Sequence, residues 1–254
     1  MSSRIADTPP DQAAIPQRQA AVIAGLAYVV LNVLALVANF FALDRLTVPD
    51  DAAATVSNIV NSELLFRSGI AAFIVVLIAD VVVAWALYVF FKRTSRELSL
   101  FAAWFRLVYA AITLAALLNL LAVLKLVDGA GYATALEAGQ RNAHVMLSLD
   151  AYINGWSIGL VAFGVHLLLL GIVIVKSSHA PRILGILVAV AGVGYVIRHL
   201  ALVLLPNFAD YHDFSLLLLA VLAIPAEFGL PAWLLWRGGK EKVQDAPALQ
   251  PATR

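Results

Sequence analysis

Cysteine is absent from this sequence, and charged residues are scarce. Without cysteine there is no disulfide framework, thiolate metal site or iron–sulfur cluster. Charged residues make up 13% of the 254 positions, against about 25% in a typical soluble domain. The 17 basic and 16 acidic residues leave a net charge of +1, which excludes nucleic-acid binding as a main activity. The chain also lacks a nucleophile elbow, a phosphate loop and a dinucleotide fingerprint.

Apolar residues dominate instead. They make up 62% of the chain, more than a soluble domain of this length can bury. Six apolar runs exceed the length of about 18 residues that marks a membrane-spanning helix. They cover approximately residues 21–43, 68–91, 99–124, 151–175, 183–205 and 214–236. Because these runs are continuous rather than alternating in polarity, they predict an all-α polytopic membrane protein with six transmembrane helices.

The basic residues predict the orientation of these spans. They concentrate in the connections after the second and fourth spans and in the C-terminal tail. The positive-inside rule therefore predicts that both termini are cytoplasmic. The predicted domains are a disordered cytoplasmic tail over residues 1–19, a six-helix transmembrane domain over 20–237 and a second disordered cytoplasmic tail over 238–254.

The two long outer loops contain amphipathic patterns. In residues 50–65, one side of a helix would carry Val56, Ile59, Val60 and Leu64. Residues 133–148 have a similar pattern. We therefore expect a short amphipathic helix in each outer loop. The alternative is that each segment forms the first turns of the following span.

Ionisable residues inside the spans are informative, because a bilayer accommodates them only where they face one another or water. There are six, namely Asp80, Arg106, His166, Arg198, His199 and Glu227. At about 1.5 Å per residue, four of them lie about 12 to 16 Å from the cytoplasmic ends of their spans. These four, on four different helices, are Asp80, Arg106, His166 and Glu227. The sequence therefore predicts one inner polar layer.

This inner layer is the candidate ligand site. Its predicted members are Asp80, Tyr88, Arg106, Tyr109, His166 and Glu227, the two tyrosines sharing helix faces with Asp80 and Arg106. Pro225 and Pro231 flank Glu227 and predict a kinked helix around this acid, as in many midplane binding sites. The alternative is a buried ion-pair network that only fixes the packing of the helices.

A secondary outer cluster is predicted from Arg67, Asp150, Arg198 and His199. The outer histidines and Asp150 have the chemistry of zinc ligands, but they come from separate segments without HExxH-type spacing. Snorkelling and capping roles account for them better. We therefore predict no metal site and no cofactor.

Several short motifs are spaced along the chain from span 1 to span 6. They are VPDDAAAT at 48–55, LFR at 65–67, FRLV at 105–108, FGVH at 163–166, PRILG at 181–185 and AGVGY at 191–195. Together they resemble a bacterial family of multi-pass membrane proteins catalogued as domain of unknown function 4386. The resemblance implies an all-helical protein of the bacterial cell (cytoplasmic) membrane, and it brings no known activity, substrate or catalytic residue.

The functional prediction is an integral membrane protein that binds, and in one version transports, a small polar or amphiphilic ligand in the inner layer. One alternative is an intramembrane enzyme acting on a lipid-like substrate, with His166 or Glu227 as general acid or base. Another is a membrane scaffold or sensor whose polar cluster is purely structural. Membrane lipids are the expected partners, and the sequence leaves homo-oligomer formation open.

Overall fold

The computed structural model describes residues 15–129, 131 and 133–239. It contains seven principal helices, which we number in chain order. They are α1 Gln17–Leu36, α2 Ala52–Asn61, α3 Glu63–Phe91, α4 Arg96–Val127, α5 Ala138–Lys176, α6 Arg182–Leu204 and α7 His212–Trp236. Helix α1 continues through a wider π-helical turn, Val37–Leu43, and a short helical turn, Asp44–Leu46. Two 3₁₀ turns, Ala133–Ala135 and Phe208–Tyr211, precede α5 and α7.

Six of these helices, all except α2, are long and apolar enough to cross a membrane. The part of the chain that the structure describes contains no β-strand. The predicted fold class, an all-helical multi-pass membrane protein with six spans, is therefore confirmed. The choice of membrane and the cytoplasmic position of the termini stay predictions.

The six membrane helices form a closed ring. Each packs against the membrane helices before and after it in the chain, and α1 closes the ring by packing against α7. The tightest crossing joins α5 to α6. A Cβ atom on Gly192 would lie 2.6 Å from the carbonyl oxygen of Gly164, so only glycine allows the backbones this close.

The first turn of α1 ties the ring together at one membrane end. Arg18 Nη1 donates to the carbonyl oxygens of Leu234 (2.9 Å) and Gly238 (2.8 Å), and Gln17 Nε2 donates to that of Phe90 (3.1 Å). Phe90 and Leu234 lie in the last turns of α3 and α7, where carbonyls lack intrahelical partners, and Gly238 follows the end of α7. Helix α1 thus begins inside the segment assigned to the N-terminal tail. Residues 1–14 and 240–254, which hold the rest of the two predicted tails, lie outside the described residues.

The two outer loops differ from each other. Helix α2 is a separate helix, capped by Asp51, whose Oδ1 accepts from the backbone N–H of Ala54 at 2.8 Å. Of its predicted apolar face, Val56 and Ile59 are buried and Val60 is exposed. In the second loop, residues 138–148 are the first turns of α5 and continue directly into the span. The alternative interpretation therefore holds for the second loop.

Candidate functional site

One polar side chain from each membrane helix points into the ring. We call these six residues the central polar layer: Tyr28 from α1, Asp80 from α3, Arg106 from α4, His166 from α5, Tyr195 from α6 and Glu227 from α7. These residues form two separate groups, and hydrogen bonds connect the members within each group. The first surrounds Arg106, and the second is a pair made by Tyr195 and Glu227.

Arg106 is the centre of the first group and is 1% exposed. Its Nη2 lies 2.6 Å from Oδ1 of Asp80, and its Nη1 lies 2.9 Å from the hydroxyl of Tyr28 and 3.1 Å from Nε2 of His166. The guanidinium carbon also lies 5.4 Å from the ring centroid of Phe163. A buried charge is tolerated when it is paired and hydrogen-bonded in this way.

The hydrogen bonds define the protonation state of His166. Its Nδ1 lies 2.8 Å from the carbonyl oxygen of Ala102, which can only accept, so Nδ1 carries the proton. Its Nε2 faces Arg106, which can only donate, so Nε2 is the acceptor. His166 is therefore the neutral Nδ1–H tautomer. With Asp80 and Arg106 both ionised, the Arg106 group has no net charge.

The second group is simpler and carries the other acid. The Tyr195 hydroxyl donates to Oε1 of Glu227 at 2.6 Å. No ion pair with Glu227 occurs within the described ranges. Pro225 and Pro231 lie inside α7 on either side of Glu227, and the helix continues through both of them.

The structure brings together Asp80, Arg106 and His166, as their common depth predicted. Glu227 lies in the same layer but hydrogen-bonds to Tyr195 rather than to the Arg106 group. Tyr109 is buried beside Phe163, and its hydroxyl accepts from Trp156 at 3.4 Å. Tyr88 is half-buried and takes no part in these hydrogen bonds.

Sequence reasoning missed Tyr28 and Tyr195. Tyrosine in a membrane protein is typical of the two interfaces, where its hydroxyl reaches water. Both residues lie instead in the middle of apolar spans, and both use their hydroxyls in the central polar layer. A tyrosine far from either end of a span was the available signal.

The predicted outer cluster does not assemble as one group. Arg67 pairs with Glu63 and places Nη2 2.9 Å from Oδ2 of Asp128, while Asp150 is exposed. Arg198 and His199 form a separate pair, with Arg198 Nη1 3.3 Å from Nε2 of His199. In the portion of the chain described, no three His, Asp or Glu side chains are grouped so as to hold a metal ion.

Two cavities of very different size border polar side chains, the smaller beside His166 and the larger beside Arg198. Beside His166, a space of about 10 Å³ is lined by Ser99, Ala102 and Leu170, among others. That volume is at the lower limit for one water molecule. The larger cavity, of about 260 Å³, is the α6–α7 groove, which lies between the C-terminal half of α6 and the N-terminal half of α7. Its lining includes Val190, Gly194, Ile197, Arg198, Leu218 and Leu222.

A closed ring of six apolar helices around a buried polar layer defines this chain as a multi-pass membrane protein. A family model described as domain of unknown function (DUF4386) matches residues 23–238, and the chain belongs to that family. The resemblance seen in the sequence motifs is therefore confirmed.

One similar protein comes from an archaeon. A protein of Archaeoglobus fulgidus described as uncharacterized is 33% identical over 122 residues, which are 48% of this chain and 59% of that protein. The relative is archaeal, so a bacterial cell membrane stays a prediction for this chain. No solved structure matches the chain.

Proposed function

We propose that this membrane protein binds an amphiphilic ligand, which enters the α6–α7 groove from the surrounding lipid. The groove itself is the observation that supports this function. Its volume of about 260 Å³ is close to the roughly 300 Å³ at the lower end of small-molecule sites. Its walls are mostly aliphatic, with Phe208, Tyr211, Ser215 and the charged group of Arg198 toward one end. An apolar body with a few polar groups is the usual chemistry of a small-molecule site.

The central polar layer supports this proposal by holding the helices in place. The terminal nitrogens of Arg106 pair with Asp80 and His166 while its Nε is buried without a partner, and the adjoining cavity has room for one water molecule at most. We therefore assign these three residues to the frame of the site. Glu227 is half-buried and accepts a hydrogen bond only from Tyr195 among the described contacts. It is the member of the predicted inner site best placed to meet a polar group that moves inward between α6 and α7.

A pair of bulky substitutions tests the groove. Ala201 lines it, whereas Leu200 is exposed on the same helix and lies outside its lining. We expect the purified wild-type protein and Leu200→Phe to bind added phospholipid in native mass spectrometry. Ala201→Phe fills the cavity and should lose at least about tenfold in affinity. Equal affinity of both variants, or no binding to the wild type, would overturn the proposed function.

A second candidate function is a scaffold whose polar layer only specifies the fold. The closed Arg106 group and the small space beside His166 favour it. In that case, Ala201→Phe and Arg198→Gln should leave every cellular phenotype proportional to protein abundance. A variant that stays abundant and folded but loses a phenotype of the gene would exclude the scaffold.

A further inference from the structure

We infer that the ligand of the α6–α7 groove is an anionic phospholipid, whose headgroup phosphate pairs with Arg198 while an acyl chain occupies the groove. This inference rests on the proposed function and adds the chemical class of the ligand. It starts from the charge of Arg198. Over the described residues, no carboxylate lies within the 4.0 Å of an ion pair with this guanidinium.

The surroundings of Arg198 leave its positive charge without compensation. Its Nη1 lies 3.3 Å from Nε2 of His199, and its Nε is buried without a hydrogen-bond partner. The Nδ1 of His199 lies 2.9 Å from the backbone carbonyl oxygen of Tyr195, so Nδ1 carries the proton and this histidine is neutral. The guanidinium carbon lies 5.6 Å from the ring centroid of Phe208, a contact that favours a cation but does not neutralise it. The local net charge is therefore +1.

The position of Arg198 along α6 matches that of a lipid headgroup. It lies six residues before the C-terminal end of α6, Leu204, or about 9 Å along the helix axis. An arginine at this depth reaches the interface by extending its side chain along the helix. Tyr211 and Ser215 line the groove near the same membrane end and add hydroxyl groups. The charged end of the groove thus lies near the interface.

The remainder of the groove suits an acyl chain. From Arg198 it runs along α6 and α7 toward the bilayer centre, between Val190 and Leu222. A guanidinium binds phosphate through its N–H groups, and the Nη2 of Arg198, which makes no hydrogen bond within the described residues and is not buried, is available for such a contact. A molecule with a phosphate at the interface and an aliphatic chain toward the midplane complements both features. Phospholipids have that structure, and an anionic one, which has no headgroup cation to offset its phosphate, complements the uncompensated charge of Arg198.

The test compares three amphiphiles on the full-length purified protein. Binding of dioleoyl phosphatidylglycerol, dioleoyl phosphatidylcholine and oleate is titrated by native mass spectrometry in a neutral detergent. We expect the wild type to bind phosphatidylglycerol at least about tenfold more tightly than phosphatidylcholine, because the choline ammonium offsets the phosphate charge that faces Arg198. Arg198→Gln should remove this preference and keep the affinity for phosphatidylcholine, while Arg198→Lys should retain part of it. The control is Arg45→Gln, an exposed arginine at the same membrane end but outside the groove lining, and it should match the wild type.

Failure of the inference and failure of the proposed function have different signatures. If none of the amphiphiles binds the wild type, or if Ala201→Phe binds them as the wild type does, the proposed function fails. If Ala201→Phe abolishes binding but the wild type does not distinguish the two phospholipids, the groove is a lipid-binding site and the inference of an anionic ligand is wrong. A preference that survives Arg198→Gln, or that is equally lost in Arg45→Gln, overturns the role of Arg198. Tighter binding of oleate than of phosphatidylglycerol overturns the phospholipid in favour of a free fatty acid.

Discussion

Two arginine–histidine pairs in this protein share one arrangement and differ in the other groups around the arginine. Arg106 donates to His166, and Arg198 donates to His199. Each histidine is neutral and donates its Nδ1 proton to a backbone carbonyl. Arg106 also has the carboxylate of Asp80, whereas Arg198 has an apolar groove. The charge of Arg106 is thus balanced inside the protein, whereas that of Arg198 is not, and this difference is the basis of the anion site that we propose.

Removal of either charge of the Asp80–Arg106 ion pair should have the largest effect on stability. Arg106→Ala leaves the carboxylate of Asp80 without its charge partner, and Asp80→Ala does the same to the guanidinium of Arg106. Both groups are nearly inaccessible to solvent. Each substitution should lower the free energy of unfolding by about 3–5 kcal/mol. Thermal and denaturant unfolding of the purified protein in detergent would measure the loss.

The double variant Asp80→Ala, Arg106→Ala is the matched control for these single variants. It leaves no unpaired charge, so it should lose less stability than the two single variants added together. Strictly additive losses, or single variants within about 0.5 kcal/mol of the wild type, would show that the pair does not stabilise the fold.

The two faces of α6 allow the next test, because one packs tightly and the other borders the groove. A Cβ atom on Gly192 would meet the backbone of α5, 2.6 Å from the amide nitrogen of Leu168. A Cβ atom on Gly194 would meet only the flexible ends of two side chains, Leu222 at 3.2 Å and Leu219 at 3.4 Å. Gly192→Ala should therefore lower the free energy of unfolding by about 1–3 kcal/mol. Gly194→Ala, two positions away, should leave it nearly unchanged in the same unfolding assay. Equal losses would mean that the groove side of α6 is packed as tightly as the other.

The Tyr195–Glu227 pair should have a smaller effect than the Arg106 group. Tyr195→Phe removes the one hydroxyl that donates to Glu227, and the expected loss is about 1 kcal/mol. Glu227→Gln keeps an acceptor for that hydroxyl. A double-mutant cycle with these substitutions should give a coupling energy of similar size. A loss as large as that of Arg106→Ala would place Glu227 in the structural frame instead of at the edge of the ligand site.

The sequence predicted the depth of the polar residues in the bilayer better than their hydrogen-bond partners. A rise of about 1.5 Å per residue places Asp80, Arg106 and His166 at one depth, and these three residues are in contact. Depth carries no information on the order of helices around a ring, and so the pairing of Glu227 with Tyr195 was not foreseen. For the same reason, the sequence grouped Arg67 with Arg198. In the structure, Arg67 pairs instead with Asp128, which directly follows α4. Apolar length also marks only the part of a helix inside the bilayer, and α5 begins at Ala138, well before its apolar run.

The smallest expected effect on stability is at Arg198, and it separates the two arginines most clearly. Arg198 has no ion pair among the described residues and is half-buried, so Arg198→Gln should change the free energy of unfolding by no more than about 0.5 kcal/mol in lipid-free detergent. Added phosphatidylglycerol should raise the unfolding temperature of the wild type and not that of this variant, because a ligand stabilises only the state that binds it. A loss of several kcal/mol without lipid would show that Arg198 belongs to the fold as Arg106 does. The difference between the two arginines would then lie in their depth in the bilayer and not in their function.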